Sequence, residues 1–190
     1  MSEARILSVE ELLKLNLVIP SYQRPYKWTE KNIRELILDI QKGIEDANKY
    51  PNFKYRVGTV ILYQENDTKP YEIVDGQQRI LSFLLLRLCL NPDFTCSLLS
   101  ATFSDKVTLG NLHSNSDRIR EWCSSVDDGV KEAFDKALSE VLEVVVLTVN
   151  ELSEAFQLFD SQNTRGRELY PHDLLKAYHL REIHDKYDMQ

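Results

Sequence analysis

Residues 71–79, Tyr-Glu-Ile-Val-Asp-Gly-Gln-Gln-Arg, constrain the fold more than any other stretch, because a strand pattern gives way to a helix pattern within them. Ile73 and Val74 favour extended backbone, whereas the apolar run 80–90 is typical of a buried helix. Gly76 lies at the junction, and without a Cβ it can turn the chain or let a ligand approach closely. The stretch predicts a strand that enters a core helix through a short polar loop.

This polar loop has the composition of an anion site. The start of a helix presents free backbone N–H groups and the positive end of the helix dipole. Arg79 adds a planar cation that suits phosphate, and Gln77 and Gln78 add amide donors and acceptors. We therefore expect phosphate to bind here. The alternative is a plain corner in which Asp75 caps the helix and Arg79 is solvated.

A second polar stretch, residues 19–28, contains two prolines that keep it extended. We expect Tyr22 to stack on a base, Gln23 to hydrogen-bond a ligand and Arg24 to pair with a phosphate. The alternative is that the aromatic residues fill one end of the core while the cations are solvated.

A third polar stretch, residues 160–169, precedes a helix in which Pro171 suits the first turn. Asn163 fits a helix C-cap, and Arg165 follows it. Asp173 and Lys176 lie at i and i+3 on the next helix. A plain helix–helix turn and a surface ion pair are the alternatives for these residues.

The rest of the chain alternates between helix and strand signals. A capping box at Ser8 predicts a helix over 9–15, and the apolar spacing after Thr29 predicts a helix that Gly43 and the polar run 45–52 end. Strand 56–63, with Gly58 as a bulge or a point of close approach, pairs with 71–74 in a hairpin. Further expectations are strands at 17–19, 98–103 and 142–149, helices at 118–122, 130–138 and 153–159, and a loop of low order at 104–116.

Composition limits the function classes. The chain has 190 residues, is 43% hydrophobic and 28% charged, and has a net charge of -7, which argues against a protein that coats nucleic acid. Its three cysteines lack a C-x-x-C pair, so we expect reduced thiols and a cytoplasmic location. The apolar run 80–90 is too short to span a membrane. The polar tail 185–190 suggests a fragment of a longer protein.

Together the three polar stretches resemble one family, the N-terminal domain of GmrSD-type restriction endonucleases, which has a ParB/sulfiredoxin-like fold. Asp-Gly-Gln-Gln-Arg at 75–79 is similar to the family signature. Residues 19–28 resemble its opening motif, and 159–176 its third motif.

The resemblance implies a regulatory domain of a bacterial DNA-restriction or phage-defence protein that binds, and in some members hydrolyses, a nucleoside triphosphate with Mg²⁺. Cleavage of DNA would belong to a C-terminal HNH-type nuclease domain, which we expect to be absent from this chain. DNA would be a partner through the full-length protein, and an oligomer is compatible with this role.

On this basis Asp75 is expected to hold Mg²⁺ through water or to orient the attacking water. Gln77 and Gln78 would position water or phosphate. Phosphates would bind Arg79, Arg24 and the N–H groups from Gly76 onward. The third motif would close the site through Asn163 and Arg165, with Lys176 and Asp173 as secondary candidates.

The predicted fold is a single α+β domain over 1–190, with a small mixed sheet flanked by helices and a helical C-terminal part. Within it, 16–110 would be the nucleotide-binding core, and 111–190 a mainly helical part with one strand. The alternative function is a DNA-binding or modified-DNA-sensing module without nucleotide turnover, in which the cations contact a DNA backbone: Arg24, Lys27, Arg79, Arg165 and Arg167.

Overall fold

The structure is a computed structural model that describes residues 3–163, and within them it is an α+β fold built on one five-stranded sheet. The strands are β1 (Glu3–Ser8), β2 (Leu17–Val18), β3 (Tyr55–Tyr63), β4 (Tyr71–Asp75) and β5 (Leu142–Val149). The helices are α1 (Val9–Lys14), α2 (Glu30–Lys49), α3 (Gln77–Leu90), α4 (Lys106–Ser125), α5 (Asp128–Glu140) and α6 (Leu152–Asn163), with a 3-10 helix at Ser97–Ser100.

The sheet is mixed, as predicted, and its strand order is β1-β5-β3-β4-β2. β3 lies at the centre, parallel to β5 and antiparallel to β4, so the predicted hairpin is confirmed. β1 was not predicted; it pairs antiparallel with β5 at the edge of the sheet. The central sheet therefore combines strands from both the 16–110 and the 111–190 parts of the chain.

Successive residues of the central strands face opposite sides of the sheet, because side chains alternate along a strand. Val60 and Leu62 of β3 enter the main core with helices α1 to α5. Ile61 and Tyr63 enter a smaller cluster on the other face, where α6 contributes Ala155 and Phe159. Both faces of the sheet are thus covered by helices, and the start of α3 lies where β4 leaves the sheet.

Two predictions around residues 98–116 are wrong. A strand was expected at 98–103, but residues 97–100 form the 3-10 helix and Ala101 after it is extended. Two contacts stabilise the 3-10 helix: Leu98 is buried, and the Ser97 hydroxyl accepts a hydrogen bond from the Leu17 N–H at 2.8 Å. The expected loop at 104–116 is mostly α4. Asp105 caps α4 by accepting from the Thr108 N–H at 2.7 Å.

The α2 helix ends at Lys49, within the polar run 45–52 that was predicted to end it, whereas the expectation that Gly43 helps to end it is wrong. Gly43 is buried inside the helix, and a Cβ there would come within 3.1 Å of the Tyr55 Cβ. The glycine lets α2 pack closely on the start of β3 and does not end the helix. None of the helices within residues 3–163 is long and apolar enough to cross a membrane.

Candidate functional site at the start of helix α3

The start of α3 is shaped by Gly76, which has φ +95° and ψ 2°. A Cβ at this position would lie 2.7 Å from Cγ2 of Val60, so both the backbone angle and the space require glycine. The cap residue Gly76 has no side chain that could accept from the first-turn N–H groups of α3, and this turn contains no acidic residue, whereas Asp105 and Asp127 cap α4 and α5. The first-turn N–H groups of α3 therefore suit an anion.

Asp75, the last residue of β4, lies beside two arginines. Burial raises the pKa of its carboxyl group, and the Gly76 N–H, Arg79 and Arg24 each act to lower it. Gly76 occupies the cap position of α3, so Asp75 is not the helix cap that the alternative interpretation assumed. Its carboxylate and the two cations surround the start of the helix.

Arg79 packs against the sheet and is not a solvated surface residue. Its Nη1 donates to the Thr59 carbonyl at 3.0 Å. The guanidinium lies over Gly58, where a Cβ would come within 2.9 Å of the arginine Cζ. Burial lowers the pKa of Arg79 and the charge of Asp75 opposes this, but a guanidinium remains protonated in proteins. A half-buried cation thus lies in the first turn of the helix.

Gly58 has φ +123° and lies where the β3–β5 register shifts. The predicted bulge is therefore confirmed. The group that approaches it closely is the Arg79 side chain.

Gln78 joins α3 to the loop of residues 19–28. Its Oε1 accepts from the Lys27 N–H at 2.7 Å and the Trp28 N–H at 3.1 Å, and its Nε2 donates to the Pro25 carbonyl at 3.2 Å. These bonds satisfy backbone groups of a loop that has no sheet partner. The expected role of Gln78 in positioning water or phosphate stays a prediction, and the structure adds a role in holding the loop.

The same loop is attached to β4 by two of its predicted ligand-binding residues. Gln23 Nε2 donates to the carbonyls of Ile73 and Val74, each at 2.7 Å. The Tyr22 hydroxyl donates to the Glu72 carboxylate at 3.1 Å, and the ring meets Phe156 edge-on with centroids 5.8 Å apart. Arg24, between these anchors and the start of α3, is exposed.

A buried polar network behind the loop was not predicted. The Tyr26 and Ser82 hydroxyls share a hydrogen bond of 2.7 Å, and Asn115 Nδ2 donates to the Tyr26 hydroxyl at 2.8 Å and to the Trp28 carbonyl at 2.9 Å. Thr108 Oγ1 accepts from the Tyr26 N–H at 3.0 Å. Burial raises the pKa of Tyr26, so it is a neutral hydrogen-bonding group. Asp105, three residues before Thr108, was the capping signal that could have revealed α4 and hence this network.

Gln77 lies on the wall of a cavity of about 450 Å³ between the 19–28 loop and residues 97–108. Its side chain is only 4% exposed, and its Oε1 is buried without a hydrogen-bond partner within the described part of the chain. Arg24 also lines this cavity. A second cavity, of about 290 Å³, lies on the Arg79 side between α2 and β3 and is lined by Glu35 and Asp39 among others.

Of the residues predicted in the third motif, only Asn163 lies within the described residues, as the last residue of α6. Arg165, Asp173 and Lys176 lie outside them.

Within residues 3–163 no group of three His, Cys, Asp or Glu side chains could hold a metal ion. A single carboxylate such as Asp75 fits Mg²⁺ that is bound mainly by a ligand's phosphates, and does not fit an ion held by the protein alone.

The described residues form an α+β domain in which the start of α3 lies between the 19–28 loop and the sheet. This helix start has no side-chain cap from Gly76, and two arginines lie beside it. The chain matches the family model of the GmrSD restriction endonuclease N-terminal domain over residues 9–180, and it belongs to that family. No curated protein matches it. The matched range includes all three polar stretches, and membership supports a role in DNA restriction and phage defence.

Proposed function

We propose that the start of α3 binds a nucleoside triphosphate with Mg²⁺ and that this binding regulates a DNA-restriction protein. The observation that carries the proposal is the uncapped first turn of α3 with Arg79, Arg24 and Asp75 around it. Free N–H groups and a positive helix end favour a phosphate group. The two arginines supply the charge that a triphosphate needs, in a chain whose net charge is -7.

Each residue has a stated role in this proposal. The N–H groups of Gln77 and Gln78 and the Arg79 guanidinium bind phosphate oxygens, whereas the Gly76 N–H is engaged by the Asp75 carboxylate. Arg24 reaches the same phosphates from the loop, since it lies close enough to lower the pKa of Asp75. Mg²⁺, which neutralises phosphate charge when bound, would be held by Asp75 directly or through water.

Binding is the core of the proposal, and hydrolysis is a separate question. A phosphate site needs only donors, whereas hydrolysis also needs an oriented water molecule. The Gln78 amide is engaged by the loop and Gln77 Oε1 is enclosed, which makes Asp75 the residue best placed to orient water. Release of phosphate from a bound nucleotide decides this question.

Calorimetric titration with ATP, GTP, CTP and UTP, each with Mg²⁺, tests the proposal on the wild type and on Arg79→Ala. Loss of a charged hydrogen bond costs about 1.5–3 kcal/mol, so the variant should bind about 10- to 100-fold more weakly. Arg34→Ala removes an exposed arginine from α2 and serves as the matched control. It should bind like the wild type.

Absence of binding of all four nucleotides to the folded chain would refute the proposal. The same chain should then be titrated with duplex DNA over a range of salt concentrations. A steep fall of affinity with salt would favour the DNA-sensing alternative.

A further inference from the structure

The cavity of about 450 Å³ beside α3 shares two residues, Gln77 and Arg24, with the proposed phosphate site. Gln77, the first residue of α3, lines it, and its N–H group belongs to the helix start. Arg24 lines the cavity and also lies beside Asp75. A triphosphate at the helix start therefore has the rest of its molecule within reach of this cavity.

The walls of the cavity suit an uncharged group that is partly flat and partly hydroxylated. Pro20 and Phe103 offer apolar surface, and Ser21, Thr102 and Ser104 offer hydroxyl groups. The Asp105 carboxylate also lines the wall, but it is engaged in capping α4. These groups match the base and the ribose of a nucleoside, and the volume lies in the range of pockets that enclose small ligands.

Gln77 gives the wall a hydrogen-bonding group that lacks a partner. A buried acceptor without a donor is unfavourable, and Gln77 Oε1 is such an acceptor within the described residues. Because Gln77 lines the cavity, we expect its amide to turn toward a bound base and to accept a hydrogen bond from an N–H of that base. Glutamine amides pair with base edges in this way.

The second cavity, next to Arg79, fits the same group less well. It is smaller, about 290 Å³, and four charged side chains line it: the carboxylates of Glu35 and Asp39 and the guanidinium groups of Arg56 and Arg79. An uncharged nucleoside placed there would remove water from these charged groups without pairing them, which is unfavourable. The first cavity is lined by a cation and by neutral side chains, apart from the engaged Asp105.

We propose that the cavity between the 19–28 loop and residues 97–108 holds the nucleoside half of the nucleotide, with Gln77 pairing with the edge of the base. This inference rests on the proposed function, because the phosphates of the nucleotide must occupy the start of α3. It assigns base recognition to Gln77 of the Asp-Gly-Gln-Gln-Arg signature together with cavity walls that lie outside the signature.

The test compares a nucleotide with its phosphate portion alone. The four nucleoside triphosphates and inorganic tripolyphosphate, each with Mg²⁺, are titrated into the wild type and into Ala101→Trp, which fills the cavity from its wall. Thr102→Trp does the same from an exposed position that tolerates a large side chain. Val107→Trp, which is 52% exposed and outside the cavity lining, is the matched control.

We expect Ala101→Trp and Thr102→Trp to weaken nucleotide binding by about tenfold or more and to leave tripolyphosphate affinity unchanged. Val107→Trp should change neither. Circular dichroism and Tm establish that each variant is folded, and Thr102→Trp decides the matter should Ala101→Trp unfold.

Full nucleotide affinity in both cavity variants would overturn the inference, and so would equal losses of nucleotide and tripolyphosphate. In the first case the phosphate site stands without this cavity. Failure of both ligands to bind the wild type would instead refute the proposed function itself, so the two failures are distinguishable.

Discussion

The steric relation at the site that directly involves a proposed phosphate ligand is that between Gly58 and Arg79, and Gly58→Ala tests it. The backbone of Gly58 has φ +123°, a region that side-chain-bearing residues rarely occupy. Strain of this kind costs about 1–3 kcal/mol. For a chain of this size each kcal/mol lowers Tm by about 2–4 °C, so the variant should lose between about 2 and 12 °C.

The new methyl group has a second effect, on the position of the guanidinium. It would lie 2.9 Å from the Arg79 Cζ, whereas carbon atoms in contact prefer about 3.5–4.0 Å. The guanidinium is the flexible end of its side chain, so it should move and weaken the 3.0 Å hydrogen bond to the Thr59 carbonyl. Nucleotide affinity should therefore fall in Gly58→Ala although no predicted ligand-binding residue has been replaced.

A double-mutant cycle separates the two effects. In an Arg79→Ala background the guanidinium is absent, and Gly58→Ala should then cost only the backbone strain. We expect the two substitutions to be less than additive in urea denaturation, with a coupling of at least 0.5 kcal/mol, a size typical of residues in contact.

Gly110→Ala is the matched control, because a Cβ there would meet nothing within 4 Å. Gly110 lies in α4, so alanine should stabilise the protein by about 0.5–1 kcal/mol. Additivity of Gly58→Ala and Arg79→Ala within about 0.3–0.5 kcal/mol would refute the steric argument, and so would an unchanged Tm in Gly58→Ala.

Three further predictions concern other parts of the molecule. Gln78→Ala removes three hydrogen bonds to the 19–28 loop. The free energy of unfolding, measured by urea denaturation, should fall by about 1.5–4.5 kcal/mol. The loop should also be cut faster by proteases, and cleavage no faster than in the wild type would contradict the prediction. Burial raises the pKa of Asp75, so its protonation should weaken Mg²⁺–nucleotide binding as pH falls through that raised pKa. In Asp75→Asn this contribution to the pH dependence of binding should be lost, and only the pH dependence due to the nucleotide's own phosphates should remain. Calorimetry at a series of pH values measures both. Burial and the neighbouring Cys89 thiol raise the pKa of Cys123 to about 12, so little thiolate exists at pH 8. Iodoacetamide should therefore alkylate Cys123 far more slowly in the native protein than in urea, and mass spectrometry measures both rates. Equal rates in the two states would contradict the burial argument.

The strand-to-helix corner could be predicted from sequence because its signals are local. The β-branched residues before Gly76, the glycine itself and the apolar run after it are adjacent in the chain, and the structure has a strand, a left-handed glycine and a buried helix in that order. The bulge at Gly58 was predicted for the same reason. The identity of its close neighbour, Arg79, was not, because it depends on how β3 packs against α3.

The partners of the glutamines could not be predicted, because they are backbone groups distant in the sequence. Gln78 binds N–H and carbonyl groups about fifty residues earlier, and Gln23 binds carbonyls of β4. An amide side chain suits a ligand and a backbone group equally well. The first half of α4 was missed because it is rich in polar residues, and two of these, Asn111 and Asn115, donate to carbonyls of the loop.

Helical geometry gives the three side chains at the start of α3 different surroundings. Successive residues of a helix are separated by about 100°, so Gln77 lines the cavity, Gln78 meets the loop and Arg79 meets the sheet. Substitution of Gln78 should displace the loop that contains Arg24, and so weaken phosphate binding without removing a phosphate ligand.

A loss of nucleotide affinity in Gln78→Ala therefore does not by itself identify a phosphate-binding residue. The loss must be compared with the loss of stability in the same variant. Arg24→Ala provides that comparison: a direct ligand would weaken nucleotide binding in it while leaving the free energy of unfolding nearly unchanged, because Arg24 is exposed.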